Sequence, residues 1–240
     1  MDITAKTILL TGGTAGIGQE LARQLKAKGG TVVLTGRNIE RLDAMRGEGF
    51  ETIRADLSNA AGVDALVAEL GEREIDILIN NAGQLIAYDF RKGAPDADAT
   101  DDGIYANLQA PIRLITALMP TLKSRPEAAI VNVTSGLAIA PASRQPIYCA
   151  TKAGLRSYTL ALRHQLARTG IHVIEALPPV VDTQMNADND LSKMPAAECA
   201  RQIVTAIEKN SAEANIGQVR MLRVAESISP ALARNLMIRF

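Results

Sequence analysis

The chain has 240 residues, 47% of them hydrophobic, enough for one large α/β domain with a well-buried core. Lysine plus arginine balances aspartate plus glutamate at 26 each, with no concentrated basic run, which argues against an extended nucleic-acid surface and leaves a small neutral ligand or a locally bound anion. Cys149 and Cys199 have neither zinc-site spacing nor the number for a disulfide framework, so a reducing, cytoplasmic setting is expected. From Met1-Asp2 the chain passes almost directly into a strand-like run, so no signal peptide is expected, and no apolar stretch is long enough to span a membrane.

In chain order, strand-like apolar runs at 7–10, 31–34, 51–54, 75–79, 129–133, 172–177 and 218–222 alternate with helical patterns at 18–27, 39–45, 60–70, 101–122, 148–167 and 196–209. Strands that are apolar on both faces need helices on both sides, which predicts a parallel, doubly wound α/β sheet of seven strands in one domain spanning 1–240. Ser58 is placed to cap the third helix, and Ser229-Pro230 offers a cap followed by proline at a first helical turn. Pro111 should kink the long fourth helix, and Pro120 should fall near its end. Residues 96–102 read as a surface loop. Residues 182–195 read as a longer connection, part of a lid region at 182–198 that starts where such sheets bind ligands.

The run Thr11-Gly12-Gly13-Thr14-Ala15-Gly16-Ile17-Gly18 follows the first strand directly and opens the first helix. Gly12 permits a tight turn, Gly16 lets backbone approach a pyrophosphate, and Gly18 lets the helix pack on the strand with its N-terminus facing the anion. After the second strand, where a carboxylate would bind a ribose 2′-hydroxyl, the chain reads Gly36-Arg37-Asn38. Arg37 can pair with a phosphate, which favours NADP(H) over NAD(H). Tyr148 and Lys152 are four residues apart, so on a helix the ammonium lies near the phenol and favours its ionised form. Tyr148 is therefore a candidate acid-base catalyst. His164 and His172 have no carboxylate or second histidine at metal spacing, and no metal is expected.

Taken in order from Thr11 to about Thr183, these motifs resemble the short-chain dehydrogenase/reductase family. The resemblance implies a Rossmann fold and an NAD(P)-dependent enzyme that interconverts a small-molecule carbonyl and an alcohol. The glycine run is similar to the family's cofactor motif, with Thr14 and Ile17 beside the glycines, and Asn80-Asn81-Ala82-Gly83 to its motif after the fourth strand. Asn107, Ser135, Tyr148 and Lys152 resemble its catalytic tetrad. In the roles this implies, Ser135 donates to the carbonyl oxygen, Tyr148 protonates it, and Lys152 lowers the Tyr148 pKa and holds the nicotinamide ribose. Asn107 holds a relay water at a local irregularity in the fourth helix. Asn38 joins Arg37 at the cofactor, Asp56 and Leu57 border the adenine, and 178–183, with Pro178, Val181 and Thr183, packs on the nicotinamide. The chain departs from the family where Pro179 replaces a common glycine, a version that resembles one subgroup, and where Arg223-Val224-Ala225-Glu226 and a helix replace a glycine-rich ending.

Other readings stand beside this one. An NAD(H)-preferring member of the family fits the motifs, as does a dinucleotide sensor without turnover. The C-terminal run 231–240 can pack on its own domain or a neighbouring subunit, which is preferred over a membrane surface. Family members assemble as dimers or tetramers, and the fifth helix carries a stripe of Leu155, Tyr158, Leu162 and Leu166 that suits an interface or the sheet. Cys149 reads as a packed side chain. Met185 and Met194 are candidates to touch an apolar substrate, and Arg144 suits a substrate carboxylate or solvent.

Overall fold

The computed structural model describes residues 1–187 and 191–239. Asp188, Asn189 and Asp190 of the expected lid, and Phe240 of the expected last helix, lie outside the described residues.

Among the described residues, seven parallel strands form one sheet in the order β3-β2-β1-β4-β5-β6-β7. They are β1 (Thr7–Leu10), β2 (Thr31–Gly36), β3 (Glu51–Arg54), β4 (Ile77–Asn80), β5 (Ala128–Val133), β6 (Ile171–Leu177) and β7 (Glu213–Asn215). Between and after them run α1 (Gly16–Ala27), α2 (Ile39–Gly47), α3 (Ala60–Leu70), α4 (Ala97–Ile104), α5 (Ala110–Ser124), α6 (Pro146–Gln165), α7 (Ala196–Glu208), α8 (Val219–Ile228) and α9 (Pro230–Met237). Because side chains alternate along a strand, Ile8 and Leu10 of β1 point to one face, with Ile77, Ile79 and Val131, against Leu21 and Leu25 of α1 and Ile203 and Ile207 of α7. Leu9, Leu78 and Ile130 point to the other face, against Leu66 of α3, Leu114 of α5 and Leu162 of α6. The sheet is thus covered on both sides, as its doubly apolar strands require.

A buried polar ladder fixes α6 on this frame. The Asn80 amide donates to Asn132 Oδ1 at 2.9 Å, Asn132 Nδ2 donates to Thr159 Oγ1 at 2.9 Å, and the Thr159 hydroxyl donates to the Leu155 carbonyl at 2.6 Å. Side chains in low dielectric that bond one another in series set the register of β4, β5 and α6 together, with Asn80 Oδ1 left without a partner among the described residues at the start of the ladder.

Several expectations need correction. The last strand is not 218–222: β7 is Glu213–Asn215, paired with β6, and 219–228 is helical, with Val219 and Leu222 buried one turn apart. Ser58 does not cap α3. Asn59 does, accepting from Gly62 N at 2.9 Å, while Ser58 N donates to the Asp56 carboxylate at 3.1 Å. Residues 96–102 are not a loop, because Asp96 caps α4 by accepting from Ala99 N at 2.7 Å. The kink expected at Pro111 takes the form of a π-helical turn at Tyr105–Gln109 just before it. Proline has no N–H to return to the Asn107 carbonyl four residues earlier, so the ladder widens and Ala110 N–H bonds to Tyr105 O. Pro120 lies inside α5, which runs on to Ser124. Ser229 caps α9 ahead of Pro230, accepting from Leu232 N at 3.3 Å.

The cap assignment is testable. Asn59→Ala should lower the unfolding free energy by about 1 kcal/mol in urea titration, with Ser58→Ala costing clearly less.

Candidate active site

The order of strands reverses between β1 and β4, and a cleft of about 800 Å³ opens at their carboxyl ends. Hydrogen bonds across the switch point hold its floor. Thr11 Oγ1 accepts from Asn81 N and Ala82 N, each at 3.0 Å, and Asn81 Nδ2 donates to the carbonyls of Thr11 and Gly12, each at 3.1 Å. Gly12 turns the chain with φ +64°, and a Cβ on Gly18 would lie 2.0 Å from the Gly12 carbonyl oxygen, so α1 starts as close to the turn as backbone allows. Ala15, the residue before α1, provides no side-chain cap, which leaves the first-turn N–H groups facing the cleft as anion donors. The tight turn and the uncapped start of α1 together fit a dinucleotide pyrophosphate.

Farther along the cleft, the Arg37 guanidinium lies 3.8 Å from the Asp56 carboxylate, with both side chains about half exposed. So loose an exposed pair holds little energy, and Arg37 stays available to an incoming anion. Asn38 caps α2, accepting from Arg41 N at 2.8 Å. Arg41 itself lines the cleft beside Arg37 and donates to Gln184 Oε1 at 2.7 Å, tying α2 to the loop after β6. That loop is closed at its base, where Asp182 N donates to Met194 O at 2.8 Å and Met194 N to Val180 O at 2.9 Å.

Ser135, Tyr148 and Lys152 come together where β5 ends and α6 begins. The Lys152 side chain is buried, only 4% exposed, and its ammonium donates to the Val133 carbonyl at 2.9 Å, 5.6 Å from the centre of the Tyr148 ring. Burial pulls the Lys152 pKa down to about 8. Tyr148 keeps part of its side chain open to the cleft, yet desolvation pushes the phenol up to about 12, with hydrogen bonding to Ser135 working in the other direction. The expected lowering of the Tyr148 pKa by Lys152 is not seen in the protein alone, where burial sets the direction and the Ser135 hydrogen bond opposes it. Ser135 Oγ also accepts from Leu137 N at 3.1 Å, closing a turn that aims it at the phenol.

Asn107 stands one layer behind, in the π-helical turn. Its Oδ1 accepts from Gln84 N and its Nδ2 donates to Gln84 O, both at 2.8 Å, so the amide braces the loop after β4. A Cβ on Gly83 would lie 2.9 Å from Asn107 Oδ1 and 3.6 Å from Lys152 Nζ, which identifies the small space the two residues share.

All the expected cofactor residues line the one cleft, together with Ser135, Tyr148 and Lys152. Asn38 and Asn81 do so with side chains already engaged in capping and in bracing the turn. Arg41 joins them although no motif in the sequence points to it; its place in the first turn of α2 brings it to the cleft. Met185 lines the cleft, whereas the Met194 thioether lies against Gly217. The buried Cys149 thiol contacts the Ala142 backbone, and burial pushes its pKa up, as for a packed side chain. The α6 stripe faces the sheet: Leu162 and Leu166 are core residues with Tyr158 packed against them, and Leu155 is buried. The C-terminal helices fold onto their own domain, with Leu222 and Ala233 packed around Ala140. No helix among the described residues is long and apolar enough to cross a membrane.

A doubly wound parallel sheet with a glycine-rich turn at its switch point, and with a serine, tyrosine and lysine gathered beside it, defines a dinucleotide-dependent oxidoreductase. The family model described as short chain dehydrogenase matches residues 6–194, and the chain belongs to that family. Over 191 residues, 78% of this chain and 75% of the relative, it is 44% identical to the uncharacterized oxidoreductase DltE of Bacillus subtilis strain 168. A short-chain dehydrogenase from Sphingobium yanoikuyae, solved in complex with NADPH, superposes with a TM-score of 0.83 at 27% identity over 95% of each chain. One from Burkholderia cenocepacia J2315, in complex with NADP, does so with a TM-score of 0.86 at 25% identity over 96% of each chain.

The buried ammonium has a thermodynamic signature. A lysine that titrates near 8 when folded and near 10.4 when unfolded costs about 3 kcal/mol at pH 7. Between those values the unfolded chain binds the proton and the folded one does not, so stability rises with pH across the window. Removing the group by Lys152→Met should remove that rise. The variant's unfolding free energy relative to wild type should therefore fall by about 3 kcal/mol between pH 7 and 10.5 in parallel urea titrations.

Proposed function

We propose that this protein reduces a ketone or aldehyde to an alcohol with NADPH, and runs the reverse oxidation, with Tyr148 as the acid-base group. The observation that carries this reading is the meeting of Ser135, Tyr148 and the buried Lys152 at one end of the cleft whose other end holds the bare α1 N-terminus and Arg37. NADPH, when bound, supplies the hydride. The turn at Gly12, Thr14, Gly16, Ile17 and Gly18 would hold its pyrophosphate, with Asp56 and Leu57 at the adenine and Ala82, Gly83, Pro178, Val181 and Thr183 along the nicotinamide side.

The chain's own residues then handle one proton and one developing negative charge. Tyr148 keeps its proton at neutral pH because burial raises its pKa, so it is an acid in the reductive direction. The Ser135 hydroxyl and the Tyr148 phenol share the carbonyl oxygen, and as charge builds there the phenol gives up its proton. The Lys152 ammonium, desolvated and close to the ring, stabilises the phenolate left behind far more than a solvated lysine would. Asn107 braces the loop that borders Lys152 and so keeps the ammonium's surroundings fixed.

The preference for NADP(H) is supported by Arg37 and Arg41, two guanidiniums at the carboxyl end of β2 where a carboxylate would repel a 2′-phosphate. Structures with this fold have been solved with NADPH, with NADP and with NAD, so the preference is argued from the two arginines and not from the fold.

In a screen of ketones, aldehydes and quinones followed by NADPH absorbance, Tyr148→Phe should lose at least about 100-fold in kcat on every substrate the wild type accepts. Retention of most of that activity would refute the assignment. Arg37→Ala with Arg41→Ala should raise the KM for NADPH by about 10-fold or more, with the KM for NADH nearly unchanged.

A further inference from the structure

Glu175 is the one carboxylate in the middle of β6 and is completely buried. A charge there is costly unless each oxygen is engaged. Oε1 accepts the Thr134 hydroxyl at 2.7 Å, and Oε2 takes the Arg156 guanidinium. Neither partner is remote from the chemistry proposed above. Thr134 immediately precedes Ser135, and Arg156 lies one turn beyond Lys152 and two beyond Tyr148 on α6. Backbone bonds hold the same segment to β6 from either side of the serine, Thr134 N to Ala176 O at 2.8 Å and Gly136 N to Pro178 O at 2.9 Å.

The link continues outward. Arg156 reaches Glu213 of β7 at 3.3 Å, Glu213 accepts from Arg223 of α8 at 3.3 Å, and Arg223 pairs with Glu226 at 2.6 Å. This array joins the serine turn and the tyrosine-lysine helix to the C-terminal segment, whose Leu222 and Ala233 pack around Ala140 beyond the serine. Desolvation raises the Glu175 pKa, and the Thr134 hydroxyl and then Arg156 oppose it, so the group depends on both contacts to stay ionised.

We infer that Glu175 is a positioning residue, whose carboxylate, clamped between Thr134 and Arg156, sets the distance between Ser135 and the Tyr148–Lys152 face of α6. Buried ion pairs add little net stability compared with apolar residues of like volume, whereas a carboxylate with one partner on each catalytic element fixes their relative placement. This inference rests on the functional reading above.

The test uses the full-length protein loaded with NADPH and mixed in a stopped-flow with an activated aryl ketone such as 2,2,2-trifluoroacetophenone, or with another carbonyl from the screen if that one is turned over faster. The amplitude of the first turnover counts correctly folded sites, and its rate constant reads their geometry. Thr134→Val removes the hydroxyl without touching a charge. It should lower the rate constant by about 10- to 100-fold while the amplitude and the NADPH dissociation constant stay within about twofold, and Thr134→Ser should restore the rate. Glu175→Gln should act in the same direction, and if it does not fold, Thr134→Val decides alone. A loss of amplitude with an unchanged rate constant would make the clamp merely structural and overturn the inference. So would a Thr134→Val rate equal to wild type when Tyr148→Phe is inactive. A fully active Tyr148→Phe, or a wild type that turns over no carbonyl in the screen, would overturn the functional reading and this inference with it.

Discussion

The hydrogen bond from the Lys152 ammonium to the Val133 carbonyl is the contact on which the site depends. An ammonium almost wholly removed from water stays charged only if something repays part of its lost hydration, and here that is the free carbonyl at the end of β5. To reach it, α6 must lie close on β5 at one register, which the Asn80–Asn132–Thr159 ladder enforces from below. The bond then carries Tyr148, one turn earlier, to the mouth of the cleft beside Ser135. The same desolvation that lowers the lysine pKa raises that of the phenol, so the pair enters neutral pH as a cation beside a protonated acid.

Around this pair many polar side chains are engaged in holding backbone. Thr11, Asn81 and Asn107 use their hydrogen-bonding atoms on the glycine turn and the loop after β4. Asn38, Asn59 and Asp96 cap helices. Ser135, Tyr148, Lys152, Arg37 and Arg41 line the cleft as groups that can present a proton or a positive charge to a ligand. This is preorganisation in a direct structural sense, because the residues that would have to move are tied to backbone on both sides.

Much of this was legible in the sequence, for physical reasons that also explain the failures. Strands β1 and β3 and helix α3 begin and end where the sequence places them, and for α3 the reason is plain, with Asn59 capping its start and Gly71 ending it. The run Val219-Arg220-Met221-Leu222 looks like a strand over four residues, since so short a stretch fits a period of 2 as well as 3.6. Edge pairing to β6 instead selects Glu213–Asn215, which carries no strand-like pattern of its own. Asp96 looks like a loop residue in the sequence because an N-cap and a loop aspartate are the same residue until the following turn forms. In the site, spacing pointed to Tyr148 and Lys152 and the family resemblance to Ser135, while partners did not follow from either. That Asn107 would clamp Gln84, or that Glu175 would reach Thr134 and Arg156, depends on how β4, β5, β6 and α6 meet in space. The pKa of Tyr148 likewise turns on burial, which four-residue spacing does not report.

The claim at the centre of this account is a lysine that remains charged at neutral pH inside the protein and releases its proton far below the usual range. Selective carbon-13 labelling of lysine and NMR titration of the ε-carbons measures this directly, with the Lys152 signal assigned by its absence from Lys152→Met. The account predicts one lysine resonance titrating with a midpoint near pH 8. A Lys152 signal that titrates with the solvent-exposed lysines near 10.4 would show a hydrated ammonium and contradict it.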